Sequence, residues 1–295
     1  MKFLAHSNIA TRHYRQSAEF QPAMVLFVIL IGCGFMQTAG AATVSDKATP
    51  KVTARSVSAK FDQGKALNLA IRQPMLAERI TKAFLMINLK ALVFRSRNQL
   101  EESLTAFEAA LKELQRTAPT PEIRENYQLL EQLFDEYKEI KSKSATVANA
   151  TTLAEQNEEL VWIAQKGATL LREYGASTKN ELIATAGEVR TVSQRLAKLY
   201  LFRAAGIRSA VIASDLKKAE ADYRAAVQRL ISATPNTPAI NSELALAETQ
   251  WIFLKQAIER LNSNQTSSVE LEHVSKACDN ISEVMERVAV MYERI

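Results

Sequence analysis

The chain has 295 residues, 47% of them hydrophobic, with only 8 glycines and 7 prolines, and this composition favours an all-helical protein. The net charge of +5 comes from residues 1–60, which hold seven basic and two acidic residues; the remaining 30 basic residues (37 less 7) and 30 acidic residues (32 less 2) balance. A neutral body without a basic stripe argues against a nucleic-acid partner, and a single cysteine beyond residue 60 excludes a disulfide within the body.

Residues 1–41 are typical of an export leader. A polar segment with three basic residues precedes an apolar run over residues 22–36, which is shorter than the roughly 20 residues that span a bilayer. The small residues around Ala39 and Ala41 fit cleavage after Ala41. Residues 42–60 lack periodicity and are predicted to be a flexible tether.

Two other fates of the leader stay open. The segment Leu30-Ile31-Gly32-Cys33 is similar to the lipobox of bacterial lipoproteins, which makes Cys33 a lipidation candidate. The apolar run is alternatively retained as an anchor. All three alternatives predict a periplasmic body whose only membrane attachment is the leader or its lipid.

Residues 61–175 are predicted to form a first domain of four amphipathic helices. The apolar spacing places a long helix over about 61–94 and a second over about 99–116, capped by Ser96 or Asn98. Thr120 and Pro121 predict the N-cap and first position of the third helix. The fourth helix is expected to end at about Tyr174, and the long first helix to kink at Pro74.

Residues 176–295 repeat this plan as a second domain. The predicted starts of its later helices are Ser214 or Asp215, the proline turn at 234–238, and Ser268. Arg79 corresponds to Arg195 at an offset of 116 residues, and the same offset pairs Phe107 with Tyr223. Short connections favour antiparallel neighbours. The predicted fold is therefore all-α, with two tandem up-down four-helix bundles after the leader.

The first helix of the second copy carries a specific motif. Its sequence is Ala186-Gly187-x-x-Arg190-x-x-Ser193-Gln194-Arg195-Leu196-Ala197-Lys198-x-Tyr200-Leu201. The string resembles the N-terminal periplasmic domain of type IV pilus methyl-accepting chemotaxis transducers, which is related to the sensor domain of nitrate/nitrite sensor kinases. The resemblance spans residues 62–295, but the first copy has Ile71 and Pro74 where the second has Gly187 and Arg190.

The resemblance implies a candidate ligand site at Arg190, the position that clamps the anion between two subunits in the nitrate sensors. Gly187, Ser193 and Gln194 complete the candidate site, with Arg79 and Arg195 as weaker members. The partners implied are a small oxyanion such as nitrate or nitrite, a membrane sensor or transducer protein, and a second copy of the chain. The alternative role for Arg190 is a structural ion pair, with neighbours on the Glu188 side or with Glu243 or Glu248 across the bundle, or a solvent-exposed arginine.

Helical geometry places Arg190 on a helix face that consists mostly of small residues. Small residues such as Ala186 and Ala197 lie within about 60° of it, so a second helix can approach closely. A guanidinium on such a face requires an acceptor, and its planar fork suits a small oxyanion.

No enzyme, metal or cofactor site is expected. Beyond the leader the chain has one histidine, His273, so neither a metal cluster nor a paired nucleophile has convincing spacing. Cys278, Trp162 and Trp251 are predicted to be core residues of amphipathic helices. We therefore predict a periplasmic, non-enzymatic sensory module that binds a small ligand, or alternatively an envelope adaptor that binds only a protein partner.

Overall fold

The structure is a computed structural model that describes residues 62–207, 209–261 and 267–295, which belong to one compact unit. The predicted leader, the tether and the lipidation candidate Cys33 lie outside the described residues. Within these ranges the fold is all-α without strands, as predicted. The α-helices are α1 (Gln63–Asn88), α2 (Val93–Thr117), α3 (Pro121–Tyr137), α4 (Val147–Tyr174), α5 (Thr178–Ala204), α6 (Ala210–Ile231), α7 (Pro238–Leu261) and α8 (Ser268–Glu293). A short 3-10 helix, Lys138–Ser142, follows α3.

Across the described ranges, every helix is too short or too polar to cross a membrane. The α1 helix runs without interruption through Pro74. The α4 helix ends at Tyr174 with Gly175 as its C-cap, at the predicted boundary between the two halves.

The proline turns of the two halves begin α3 and α7 in the same way. The Thr120 hydroxyl accepts a hydrogen bond from the Ile123 amide at 3.2 Å, and Pro121 is the first helical residue. In the second half, the Thr237 hydroxyl accepts from the Ile240 amide at 3.3 Å, ahead of Pro238. Because proline lacks an amide hydrogen and threonine supplies an acceptor, this pair of residues specifies a helix start.

The second helix of the first half begins earlier than predicted. It starts at Val93 and not near Gln99. The preceding turn places Lys90 and Leu92 in the left-handed region, with φ of 55° and 46°. Neither residue type signals such a turn, so the apolar spacing alone placed the boundary about one and a half turns too late.

Two later boundaries also differ from the prediction. The N-cap of α6 is Ser209, whose hydroxyl accepts from the Ile212 amide at 3.1 Å, so Ser214 and Asp215 lie inside the helix. The N-cap of α8 is Ser267, one residue before the predicted Ser268, and Glu270 completes a capping box with it.

Each half contains a matching aromatic stack. Phe107 of α2 stacks on Phe134 of α3, with ring centroids 4.2 Å apart. Tyr223 of α6 stacks on Trp251 of α7, also at 4.2 Å. The repeat offset pairs Phe107 with Tyr223, so the two halves keep one packing arrangement with different aromatic residues. The other tryptophan, Trp162, is 63% exposed, which corrects the prediction that it is a core residue.

The first helices of the two halves, α1 and α5, make the most extensive helix–helix contact in the described structure. Each also packs on the second and last helix of its own half: α1 on α2 and α4, and α5 on α6 and α8. The α3 helix packs on α4, and α7 on α8. One continuous hydrophobic core therefore runs through both halves, with α1 and α5 at its centre.

Residues related by the repeat meet where α1 and α5 touch. Ile71 of α1 lies against Gly187 of α5, its counterpart at the offset of 116. A Cβ atom on Gly187 would lie 2.5–2.7 Å from three Ile71 atoms, closer than van der Waals contact allows. Farther along, Glu78 contacts Arg195 and Lys198. Residues farther along α1 contact residues farther along α5, so the two helices run in the same direction.

We predict that Gly187→Ala lowers the free energy of unfolding by about 1–3 kcal/mol, because the added methyl group overpacks the α1–α5 contact. The matched control is Gly64→Ala in α1, where the nearest side-chain atoms are 3.7–3.9 Å from the new Cβ. This control should be neutral or slightly stabilising, since alanine favours helix more than glycine. Urea unfolding of both variants measures the difference, and equal midpoints would contradict the close packing at Gly187.

Candidate functional site

Arg190 of α5 is fully buried between α1 and α8. Its guanidinium donates a hydrogen bond to the Asn68 side-chain oxygen at 2.9 Å and forms an ion pair with Glu286. Glu286 also lies 3.6 Å from Arg72. The partner of Arg190 is therefore on α8, and not Glu243 or Glu248 as the structural alternative predicted.

The hydrogen bonding around Arg190 is incomplete. Arg72 and Arg190 both pair with the Glu286 carboxylate, and the charge of Glu293 also stabilises the Arg190 guanidinium, but the Arg190 Nε has no hydrogen-bond acceptor among the described residues. Burial, and to a smaller extent the charge of Arg72, lowers the pKa of Arg190 to about 9. The guanidinium stays protonated at neutral pH in surroundings that oppose its charge.

Ser193 and Gln194 lie one turn farther along α5 and face α8. The Ser193 hydroxyl donates to the Arg190 carbonyl at 2.8 Å and lies 3.1 Å from the Ser282 hydroxyl. The Gln194 amide donates to Ser282 at 2.8 Å and to Asp279 at 3.2 Å. Gly187 instead faces α1. The predicted site residues thus line one helix but do not converge on a single point.

Arg195 and Lys198 form a buried charge network with acids from three other helices. Arg195 contacts Glu78 of α1 at 3.1 Å, Glu158 of α4 at 3.0 Å and Asp215 of α6 at 3.8 Å. Lys198 lies 2.7 Å from Glu78 and 2.9 Å from Glu158. Burial opposes the charge of Glu158, but Lys198 and Arg195 outweigh it and lower its pKa to about 2. Arg195 is therefore a bridging residue between helices.

The first half has a smaller counterpart of this network. Lys82 of α1 is fully buried and forms an ion pair with Asp279 of α8. Asp279 also accepts hydrogen bonds from Gln99 at 2.9 Å and from Gln194. Burial opposes the charge of Asp279, yet the neighbouring Lys82 ammonium dominates and lowers the pKa of this carboxyl. The counterpart of Arg195, Arg79, has no ion pair within 4 Å among the described residues.

The two lysine bridges cross between the halves. Lys82 belongs to the first half and Asp279 to the second, whereas Lys198 belongs to the second half and Glu158 to the first. Glu158 and Asp279 occupy matching positions when α4 and α8 are aligned by their buried residues and not by the offset of 116. The buried residues around them match as well: Leu153 with Val274, Asn157 with Cys278, and Leu160 with Ile281.

The side chains that metal binding or nucleophilic chemistry most often use are placed as follows in the described part of the chain. Cys278 is buried, and burial raises the pKa of its thiol to about 12, so the thiol stays protonated. His273 lies on the surface. Across the described ranges, no group of three or more histidine, cysteine, aspartate or glutamate side chains could hold a metal ion.

Sequence reasoning missed the acids that pair with the site residues. Glu286, Asp279 and Glu158 are distant in sequence from their partners, and no local sequence pattern identifies them as partners. One signal was available, since Lys82 and Lys198 recur at the repeat offset. Aligning α4 with α8 by their buried residues would have matched Glu158 with Asp279.

Compared with known proteins, the chain matches no protein-family model, and no curated protein or solved structure is significantly similar to it.

We predict that Asp279→Asn destabilises the protein by about 3–5 kcal/mol, because it leaves the buried Lys82 ammonium without a counter-ion. The control is Glu108→Gln, which removes the exposed i,i+4 pair with Lys112 and should change stability by less than about 1 kcal/mol. Chemical unfolding at pH 7 measures both. A small effect of Asp279→Asn would mean that Lys82 finds water or another acceptor.

The lowered pKa of Asp279 also predicts a pH dependence. The unfolded-state pKa of aspartate is about 3.9, and the folded value is lower. The stabilisation by the carboxylate is therefore complete above the unfolded value and is lost as pH falls below about 3.9 towards the folded pKa. Melting temperatures between pH 7 and pH 2.5 should fall less in Asp279→Asn than in the wild type. Parallel pH profiles would refute this contribution.

Proposed function

We propose that this protein is a non-enzymatic sensory module of the bacterial periplasm, built as two tandem up-down four-helix bundles. In this proposal a small oxyanion, such as nitrate or nitrite, binds at Arg190 beside the contact between α1 and α5. The occupied module signals to a membrane sensor or transducer protein, as the resemblance to the pilus chemotaxis transducer and nitrate sensor domains implies.

Several features support the tandem arrangement. The helices divide into α1–α4 and α5–α8 on either side of Gly175. The two sets share a proline-capped third helix, an aromatic stack at 4.2 Å and a lysine bridge. The contact between α1 and α5 resembles an interface between two subunits, in which equivalent residues of two copies meet.

The observation that carries the oxyanion proposal is the buried, incompletely paired guanidinium of Arg190. Its Nε lacks an acceptor, and it shares one carboxylate with Arg72. Glu286 is 31% exposed, so its side chain has room to move towards solvent when an anion approaches. Exchange of one carboxylate for a diffusible planar anion would keep the charge balanced and change the contact between α5 and α8. Such a change is a physical basis for signalling.

The adaptor function is the second candidate, and an apolar surface on α7 favours it. Leu246, Ile252 and Phe253 are 45–58% exposed. When α3 and α7 are aligned on Thr120 and Thr237, which are 117 residues apart (237 less 120), the equivalent residues of α3 are Leu129, Asp135 and Glu136. The second half has thus exchanged two charges for large apolar side chains, a substitution that suits a protein partner.

We predict that the full chain binds nitrate and that Arg190→Ala weakens binding by about 10- to 150-fold, the value of a lost charge-assisted hydrogen bond. Arg190→Lys should be intermediate, because lysine keeps the charge but loses the planar fork. Arg287→Ala is the control, since Arg287 lies on α8 in an exposed pair with Glu243 at 2.8 Å. Calorimetry measures affinity, and circular dichroism checks that each variant is folded.

Each result separates the candidates. Equal nitrate affinity in wild type and Arg190→Ala would remove Arg190 from the ligand site. Absence of binding to nitrate, nitrite and related oxyanions in the wild type would favour the adaptor.

A further inference from the structure

A cleft of about 480 Å³ opens between α1, α2 and α8. Its lining residues include Arg72, Arg79, Asp279 and Phe94. We propose that this cleft binds a small organic monocarboxylate, whose carboxylate pairs with Arg79 and whose apolar part lies against Phe94. This site is centred on Arg79, whereas the proposed oxyanion site is centred on Arg190; Arg72 and Glu286 border both sites.

The repeated arginine has different ion-pair partners in the two halves. Arg195 has three carboxylates within 4 Å, from Glu78, Glu158 and Asp215. Arg79 has none among the described residues, and its buried Nε has no hydrogen-bond acceptor. The substitutions explain the difference. The counterpart of Glu78 is Gln194, and the counterpart of Asp215 is Gln99, so two acids have become neutral amides.

The one acid retained near Arg79 is already engaged. Asp279 pairs with Lys82 and accepts from Gln99 and Gln194. Among the described residues, no carboxylate therefore pairs directly with Arg79, which lines a cleft large enough for a ligand. Leaving such a group unpaired costs free energy, and a carboxylate that accepts two parallel N–H bonds satisfies it best.

The other charges of the cleft favour a ligand with one negative charge. Glu286 is paired with Arg190 and Arg72. Glu102 and Glu283 are exposed at the rim, where they repel a second anionic group. Arg95, 52% exposed and 4.0 Å from Asp279, adds a positive charge beside Arg79. A monocarboxylate meets these conditions better than a phosphate or a dicarboxylate.

The volume of the cleft and its aromatic rim indicate that the ligand has an organic group attached to its carboxylate. The cleft falls in the range of roughly 300–1,000 Å³ that small-molecule sites occupy, more than a bare oxyanion fills. Phe94 is 80% exposed, and the left-handed turn at Lys90 and Leu92 places it in the first turn of α2. In the second half its counterpart is Ala210, and the counterpart of Arg95 is Val211. The aromatic and basic rim thus belongs to the first half alone.

The test is calorimetric titration of the full chain with benzoate, with benzamide as its neutral isostere and nitrate as a bare oxyanion. Wild type should bind benzoate and should not bind benzamide. Arg79→Gln should weaken benzoate binding at least about 10-fold. Gln99→Asp, which restores the acid found in the other half, should also weaken it by pairing with Arg79. Phe94→Ala should weaken the binding of benzoate but leave unchanged the binding of acetate, a carboxylate without an aromatic ring.

Two controls distinguish the site from the proposed oxyanion site. Arg287→Ala should retain benzoate affinity, and Arg190→Ala should still bind benzoate more tightly than benzamide; thermal melting checks the folding of every variant. The proposal is overturned if wild type does not bind benzoate, if benzamide binds equally well, or if Arg79→Gln keeps the wild-type affinity. Loss of benzoate binding in Arg190→Ala alone would assign the carboxylate to Arg190 and would equally overturn the site at Arg79.

Discussion

The burial of charged side chains where the two halves meet constrains the rest of this structure. Lys82, Lys198, Glu78 and Arg190 are almost completely removed from solvent. A single unpaired buried charge costs several kcal/mol, a large part of the 5–15 kcal/mol by which a typical domain is stable. The halves can therefore pack only where each buried cation meets its acid. Hydrophobic contact brings α1 and α5 together, and the ion pairs restrict their register.

The lysine ion pairs connect each half to the other half, and this pattern determines which helices are coupled. Each lysine lies on the first helix of one half and pairs with an acid on the last helix of the other; Lys198 also pairs with Glu78 on the first helix of the other half. Neither half neutralises its own lysine. A movement of α8 relative to α1 therefore disturbs Asp279 and Glu286 together, because both acids project from α8 towards cations outside that helix. Any ligand that competes for one of these acids or cations is coupled to the packing of the two halves.

The sequence predicted the local structure better than the pairing of charges. Apolar spacing identified the helices, and threonine before proline located two helix starts, because caps act within three or four residues. The repeat also matched Phe107 with Tyr223, which occupy equivalent stacks. The start of α2 was misplaced because Leu92 adopts a left-handed conformation that its side chain does not signal. The partners of Arg190 and Lys82 were missed because they are on α8, about 100 to 200 residues away in the chain.

The repeat places the same arginine position in two different charge environments. In the second half, Arg195 is surrounded by three acids and joins α5 to α1, α4 and α6. Around Arg79 of the first half, two of those acids are replaced by Gln99 of α2 and Gln194 of α5, which donate to Asp279 but give Arg79 no counter-charge. Gln194 fills nearly the same volume as its counterpart Glu78, and Gln99 is one methylene longer than its counterpart Asp215, so the exchange removes charge without removing bulk. One copy can therefore keep the structural network while the other leaves its arginine available to a ligand.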